Sequence, residues 1–503
     1  MNPASAPAQA AGELAALGSR LRAGDRVIIA AAAMLAVALV VVGRTSVPAF
    51  VILLAIVAVV TALAARRWPL ATLVTASLAT LADPVIVPAL LPEGFDPSPI
   101  GLSEPMLAAA GAVILATAIR KRAFGAAVRD PVFILAALFV VAAIASALVN
   151  GVPPPVAVLG IVVTIDALAV FAASRMIEVD PRRAGLAIGA VVAAVLVAAL
   201  VGVAQAVIDP RIFGLVPFIG QFGEGLRIGS FLGNPNMLAS VIGLALPFAL
   251  FASARGDRSR WPARVALYLL MLALLLTYSR GGWLAVGLGA TLGAVFLHWR
   301  ALPVLAVAVA LAWGTVAVLP RAGAAPNDPA GGLVGSTFDR FAHLGDGDDL
   351  RARFLRDGLP IVADHPLLGV GPGRYGGAVA AIVPSPVYEA YSTGLFGYRT
   401  VHDFWLHLVG ETGVIGLTIF LGLIAGLVIR FTRAARSASG VAFVVLAGGA
   451  TMLVVASLNS LTEMIFEGNM PSVLIWLVVG LASRLVPGAT VRQVADDAPM
   501  TRR

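Results

Sequence analysis

The chain has 503 residues, 59% of them hydrophobic and only 12% charged, a mean hydropathy of +0.95 and no cysteine. A water-soluble protein of this length needs far more charged surface, so the composition points to a polytopic membrane protein, and the lack of cysteine excludes disulfides, thiolate metal sites and cysteine catalysis. The net charge of +8 would suit nucleic acid, but most arginines fall between apolar runs on alternate sides, where they act as orientation signals.

In chain order, residues 1–26 are Ala-rich, carry Arg20, Arg22 and Arg26, lack a cleavage signal, and read as a cytoplasmic tail. Fourteen apolar stretches then follow, near 27–43, 47–65, 69–91, 105–119, 131–149, 155–173, 184–207, 233–253, 264–279, 282–298, 301–320, 402–429, 440–461 and 470–487. Each is close to the length that crosses ~30 Å of hydrocarbon. Asp83-Pro84 marks a break in the third, and the ninth is short. The expected fold is an all-α bundle of about 12–14 spans. Its parts are a membrane region 27–320, one large extracytoplasmic loop 321–401 with amphipathic helices, closing helices 402–487 and a cytoplasmic tail 488–503.

Orientation follows from arginine. With the N-terminus inside, inner segments hold Arg66, Arg67, Arg120, Lys121, Arg122, Arg129, Arg175, Arg182, Arg183, Arg255, Arg258, Arg260, Arg264, Arg300, Arg430, Arg433 and Arg436, whereas the short outer loops hold only Arg44, Arg211, Arg227 and Arg280. The loop 321–401 is then outside. No internal repeat of the kind common in transporters is evident. Within the loop, Asp348–Asp364 spaces Leu350, Phe354, Leu355, Gly358, Ile361 and Val362 at helical intervals, an amphipathic segment expected on the membrane surface or over the bundle. His365-Pro366 ends it, and Gly369–Gly373 (GVGPG) reads as a flexible turn.

His402 stands where this loop meets the next apolar helix. A titratable imidazole there suits proton transfer near neutral pH, and an interfacial polar residue fits the spacing equally. Asp403 can orient that ring or cap the helix. Glu411 falls on the opposite side of the helix from His402, so the two do not make a dyad; it is either functional or a hydrogen-bonding group between helices. His407 reads as structural, and Asp166, inside a span, likewise. Arg280 follows LLTYS and precedes two glycines that allow a tight reversal. It is either a complement to a helix C-terminus or an anion ligand. Arg227 is a second anion candidate. Asn234, before Pro235, reads as an N-cap, and for Asn234 and Asn236 capping is the favoured role. Arg351 and Arg374 add positive charge to the loop. Asp346, Asp348 and Asp349 lack the terminal Glu of a calcium loop, so no metal site is read.

Four stretches in order, RIGSFLGNPNMLAS (227–240), LLTYSRGGW (275–283), RARFLRDGLPIVADHPLLGVGPGRY (351–375) and HDFWLHLVGETGVIG (402–416), resemble signature segments of the O-antigen ligase and polymerase family. The resemblance implies an integral-membrane glycosyltransferase of the bacterial inner membrane, its active site facing the periplasm or cell exterior. It would take a glycan from an undecaprenyl pyrophosphate carrier and pass it to lipid A–core, another glycan or a protein hydroxyl. It makes His402 the essential histidine and Arg227 and Arg280 the pyrophosphate ligands; Arg351, Arg374, Asp403, Glu411, Asn234 and Asn236 are candidates for supporting places by their position in the chain. Asp403 stands where the family usually has Asn, and Leu355 where an aromatic is common. No cofactor, metal or nucleic-acid partner is expected: with a good leaving group, one base and an arginine clamp suffice, and direct displacement inverts the anomeric carbon. The rival from another class is a transporter of the same lipid-linked glycans.

Overall fold

The computed structural model describes residues 47–90, 101–121, 125, 129–212, 218–219, 226–255, 260–318, 350–380, 383, 385–391, 403–467 and 470–487. Its first helices are α1 (Val47–Arg67), α2 (Pro69–Ala79), α3 (Asp83–Leu90), α4 (Ser103–Arg120), α5 (Pro131–Val149), α6 (Pro154–Met176) and α7 (Pro181–Val207). A two-residue antiparallel ladder, β1 (Phe218–Ile219) with β2 (Leu226–Arg227), precedes α8 (Pro235–Ser253), α9 (Arg260–Leu276), α10 (Arg280–Leu297) and α11 (Ala301–Val318). Then come α12 (Leu350–Asp364), the short α13 (Gly377–Ala380) and α14 (Pro386–Ala390), and the long α15 (Phe404–Ser437), α16 (Gly440–Asn459) and α17 (Met470–Ser483).

Ten of these helices are long and apolar enough to cross a membrane. Of the other four expected spans, three correspond to shorter described helices. The third is broken, as its Asp-Pro suggests, into α2 and α3. The ninth is the 17-residue α9 and the last the 14-residue α17, while 27–43 lies outside the described residues. Lipid-facing helices keep Leu, Ile and Val outward: in α5, Leu138, Val141 and Ile144 are exposed while Ala136, Phe139 and Ala143 are buried. The centre is α8, buried along nearly its whole length among α9, α10 and α16.

At one end of the bundle Asp130, the N-cap of α5, meets Arg175 of α6 and Arg430 of α15, the latter at 2.5 Å. Burial pushes the Asp130 carboxyl up, but the Arg430 hydrogen bond and the Arg175 charge outweigh it and hold it below the usual carboxylate range.

The other end is organised by a break in α15. Gly413 has φ 66° and ψ −172°, outside the helical region, which only glycine adopts without strain. The break removes two intrahelical bonds, and residues 366–371 replace them group for group. Val414 N donates to Pro366 O (2.8 Å) and Ile415 N to Leu367 O (3.3 Å). Val370 N donates to Gly410 O (2.8 Å) and Gly371 N to Glu411 O (3.0 Å). The Ser146 hydroxyl of α5 lies between the carbonyls of Leu368 (2.5 Å) and Glu411 (2.7 Å), and Asn150 Nδ2 donates to Gly369 O (3.0 Å).

The turn 369–377 is therefore a packed element rather than the flexible one expected. Gly369, Gly371, Gly373, Gly376 and Gly377 all take positive φ. On its other side, a Cβ at Gly160 of α6 would stand 2.6 Å from Gly373 N. The amphipathic α12 lies over the bundle and packs on α15. Phe354 and Ile361 join Tyr375, Val370 and Leu406 in a small core, whereas Leu355 points outward.

Candidate active site

The N-terminal end of α15 starts two residues later than the sequence suggests. Asp403 caps it, accepting from Trp405 N (2.9 Å) and Leu406 N (3.1 Å). Burial raises the Asp403 carboxyl above its ordinary range despite these two bonds. His402, covalently next to it, lies outside the described residues.

Arg227, at the end of β2, packs on the turn between α9 and α10. Ile228 N donates to Leu276 O (3.3 Å), Arg227 Nε to Thr277 O (2.9 Å), and an Arg227 terminal nitrogen to Asn236 Oδ1 (2.9 Å). Asn234 caps α8, accepting from Asn236 N (2.8 Å) and Met237 N (3.3 Å), with Pro235 at the first helical position. Asn236 departs from the capping role favoured for it: its side chain holds Arg227.

Arg280 opens α10, and Ser279 caps that helix through Gly282 N (3.4 Å). The reversal before it is made by Tyr278, at φ 53°, and not by the two glycines. Those glycines serve close packing instead: a Cβ at Gly281 would strike the Thr462 side chain, and one at Gly282 would meet Ala239.

These segments form a continuous contact chain. Arg227 touches Thr277, Gly281 touches Thr462, and Phe404 N donates to Ser460 O (2.9 Å). Phe404, Phe420 and Phe466 pack beside them in tilted and edge-on contacts with centroids 5.4–5.5 Å apart, backed by Trp476. The turn 460–467 thus joins the start of α10 to the start of α15.

Glu411 and His407 are both buried, at 4% and 2% exposure. Glu411 Oε1 accepts from Gly373 N (2.6 Å) and Tyr375 N (3.5 Å), so its side chain ties α15 to the glycine-rich turn. His407 Nδ1 donates to Tyr375 O (2.6 Å), while Nε2 contacts Glu467 Oε2 and lies 3.5 Å from Glu411 Oε2. Glu467 is the member that sequence reasoning missed. It shares the turn between the last two helices with a second acidic residue, Glu463, and nothing in the local sequence singles it out. Among the described residues no group of three or more His, Cys, Asp or Glu is arranged to hold a metal ion.

Arg374 donates to Asn150 O (3.1 Å) and Gly151 O (3.2 Å), which anchors the turn to the α5–α6 connection. Arg351 lies in the first turn of α12. Asp166 is within α6, bonded to its neighbour Ala167 N.

A multi-helix membrane protein with two arginine-bearing turns, a capped helix start and a buried His–Glu cluster gathered at one end is the class these features define. Residues 265–421 match the family model described as O-antigen ligase (Wzy_C). This segment is similar to the O-antigen ligase domain, a domain of membrane glycosyltransferases of the O-antigen ligase/polymerase type. Three of the four signature stretches fall within the match, and RIGSFLGNPNMLAS precedes it. No curated protein matches the chain.

Proposed function

We propose that the protein transfers a glycan from an undecaprenyl pyrophosphate carrier to an acceptor hydroxyl at the outer face of the inner membrane, as an O-antigen ligase does. Lipid A–core or another cell-surface molecule is the acceptor; polymerisation or transfer to a protein hydroxyl would use the same chemistry. The observation that carries the reading is the contact chain from Arg227 through Thr277, Gly281, Thr462 and Ser460 to Phe404, which brings both arginine turns to the helix start beside His402.

In this reading His402 takes the acceptor proton as the new bond to the anomeric carbon forms. The bond from that carbon to the pyrophosphate oxygen breaks, and the carrier leaves as the pyrophosphate anion. Arg227 and Arg280 stabilise the charge that develops on it. Attack opposite the leaving group inverts the anomeric centre.

Arg280 supports the clamp. An anion bound at this point would be stabilised by both the arginine and the N-terminal end of α10.

His402→Ala should lower turnover by roughly 10²–10⁴-fold, the scale of a positioned acid–base group. Binding of the lipid-linked donor should survive. Normal transfer by the reconstituted variant would sink the assignment. One feature favours the transporter reading, since transporters use broken helices. The groups freed in α15 are, however, taken by 366–371 rather than left to line a passage. Glycan translocation by the reconstituted protein, without transfer, would decide for the transporter.

A further inference from the structure

One buried imidazole touches three parts of the chain that are distant in sequence. His407 holds Tyr375 of the glycine-rich turn through Nδ1 and Glu467 of the 460–467 turn through Nε2, and it sits one helical turn from Glu411 on α15. Gly377 closes the cluster: a Cβ there would lie 2.6 Å from Glu467 Oε1 and 2.8 Å from His407 Cε1.

The hydrogens can be counted. A carbonyl only accepts, so Nδ1 carries a hydrogen. The contact between Nε2 and the Glu467 oxygen needs a second one, on the ring or on the carboxyl. The bridge therefore holds one proton more than a neutral imidazole between two carboxylates.

Burying such a group opposes folding unless every member is paired, and a well-packed apolar trio would often serve stability as well. Hydrogen bonds fix direction and distance, which apolar contact does not.

We propose that His407 is a positioning residue: with Glu411 and Glu467 it fixes the start of α15, beside His402, against the start of α10, which carries Arg280. Each connection is present. His407 lies in the first turns of α15, whose backbone runs from it back to Asp403; Phe404 N donates to Ser460 O in the turn that carries Glu467, and Thr462 of that turn packs on Gly281, next to Arg280. The proposal rests on the reading of His402 as base and Arg280 as pyrophosphate ligand. It adds that the buried bridge sets the separation between the start of α15 and the start of α10.

The test compares His407→Ala, Glu467→Gln and Glu467→Ala with the parent in reconstituted full-length protein. It reads kcat, KM for the lipid-linked donor, and peptide-level hydrogen exchange over 366–377. His407→Ala should lower kcat about 10²-fold, as expected of a displacement near 1 Å between reacting groups. The donor KM should hold and exchange should speed up. Glu467→Gln should keep most of kcat, because its amide can donate to Nε2 and hold the ring, whereas Glu467→Ala should fall with His407→Ala.

Parental kcat in His407→Ala, a raised KM with kcat intact, unchanged exchange, or equal loss in the Gln and Ala variants would each overturn the proposal. If His407→Ala fails to accumulate, the two Glu467 variants carry the same comparison. His402→Ala separates the two ideas: it should lose turnover with parental exchange. Retained turnover there removes the base assignment while leaving the exchange result at His407 to decide the bridge.

Discussion

Arg227 and Arg280 do different things locally, and their substitutions should differ accordingly. Arg227 is built into the fold by Thr277 and Asn236, so part of its guanidinium serves to join the α9–α10 turn to α8. Arg280 stands at the first position of a capped helix. If both hold pyrophosphate, each Ala variant should weaken donor binding and transfer by about 2–3 kcal/mol, the upper range for charged hydrogen bonds, or roughly 30- to 150-fold. Arg280→Lys should recover only part of that, because a point charge cannot form the bidentate fork. Asn236→Ala should reproduce a fraction of the Arg227 loss through the freed guanidinium. Donor titration and transfer assays on purified variants check this, and parental values in Arg280→Ala would remove it from the site. Both arginines stood out in the sequence as anion candidates because the loops assigned outside contain few arginines. The hold of Asn236 on Arg227 was not, because an Asn two residues past an N-cap gives the same local signal whether or not its side chain reaches back across a turn.

At the scale of elements, hydropathy reveals the helices because their lipid-facing and core-facing sides are both apolar, so each span is a continuous run. The same property hides the break in α15. Gly413 lies in a stretch whose composition suits an unbroken helix, and the segment that repairs the break comes from the far side of α12. Glu467 was hidden for a related reason, since pairing between distant segments leaves no periodicity in either. The break makes a sharp prediction. Gly413→Ala puts a Cβ at positive φ and against the Leu367 backbone, so it should destabilise strongly, by more than the ~1–2 kcal/mol of the left-handed conformation alone. Gly426→Ala, farther along the same helix with open space around it, should be neutral or stabilising by up to ~1 kcal/mol. Thermal unfolding followed by size-exclusion recovery compares them. Equal behaviour would mean that α15 runs straight through residue 413.

For the whole molecule, the two ends of the bundle differ in kind. One gathers the arginine turns, the glycine-rich turn and the start of α15; the other carries the Asp130–Arg175–Arg430 cluster, where removing Asp130 would leave buried arginine charge unpaired. The connections rich in Arg fall at the second end, which the positive-inside rule assigns to the cytoplasm. α15 links the two: the 24 residues after its break, 414–437, extend roughly 36 Å, beyond the ~30 Å hydrocarbon core, so the two ends of this part must lie on opposite sides if it spans. Because the chain has no cysteine, single cysteines report cleanly. His365→Cys, exposed just after α12, should react with an impermeant maleimide in spheroplasts. Ser437→Cys, at the far end of α15, should react only after the membrane is permeabilised. The opposite pattern would put the arginine turns and the His407 bridge in the cytoplasm, where a carrier-linked glycan presented at the outer face could not reach them. Labelling of both sites in sealed spheroplasts would mean that α15 does not cross the membrane at all.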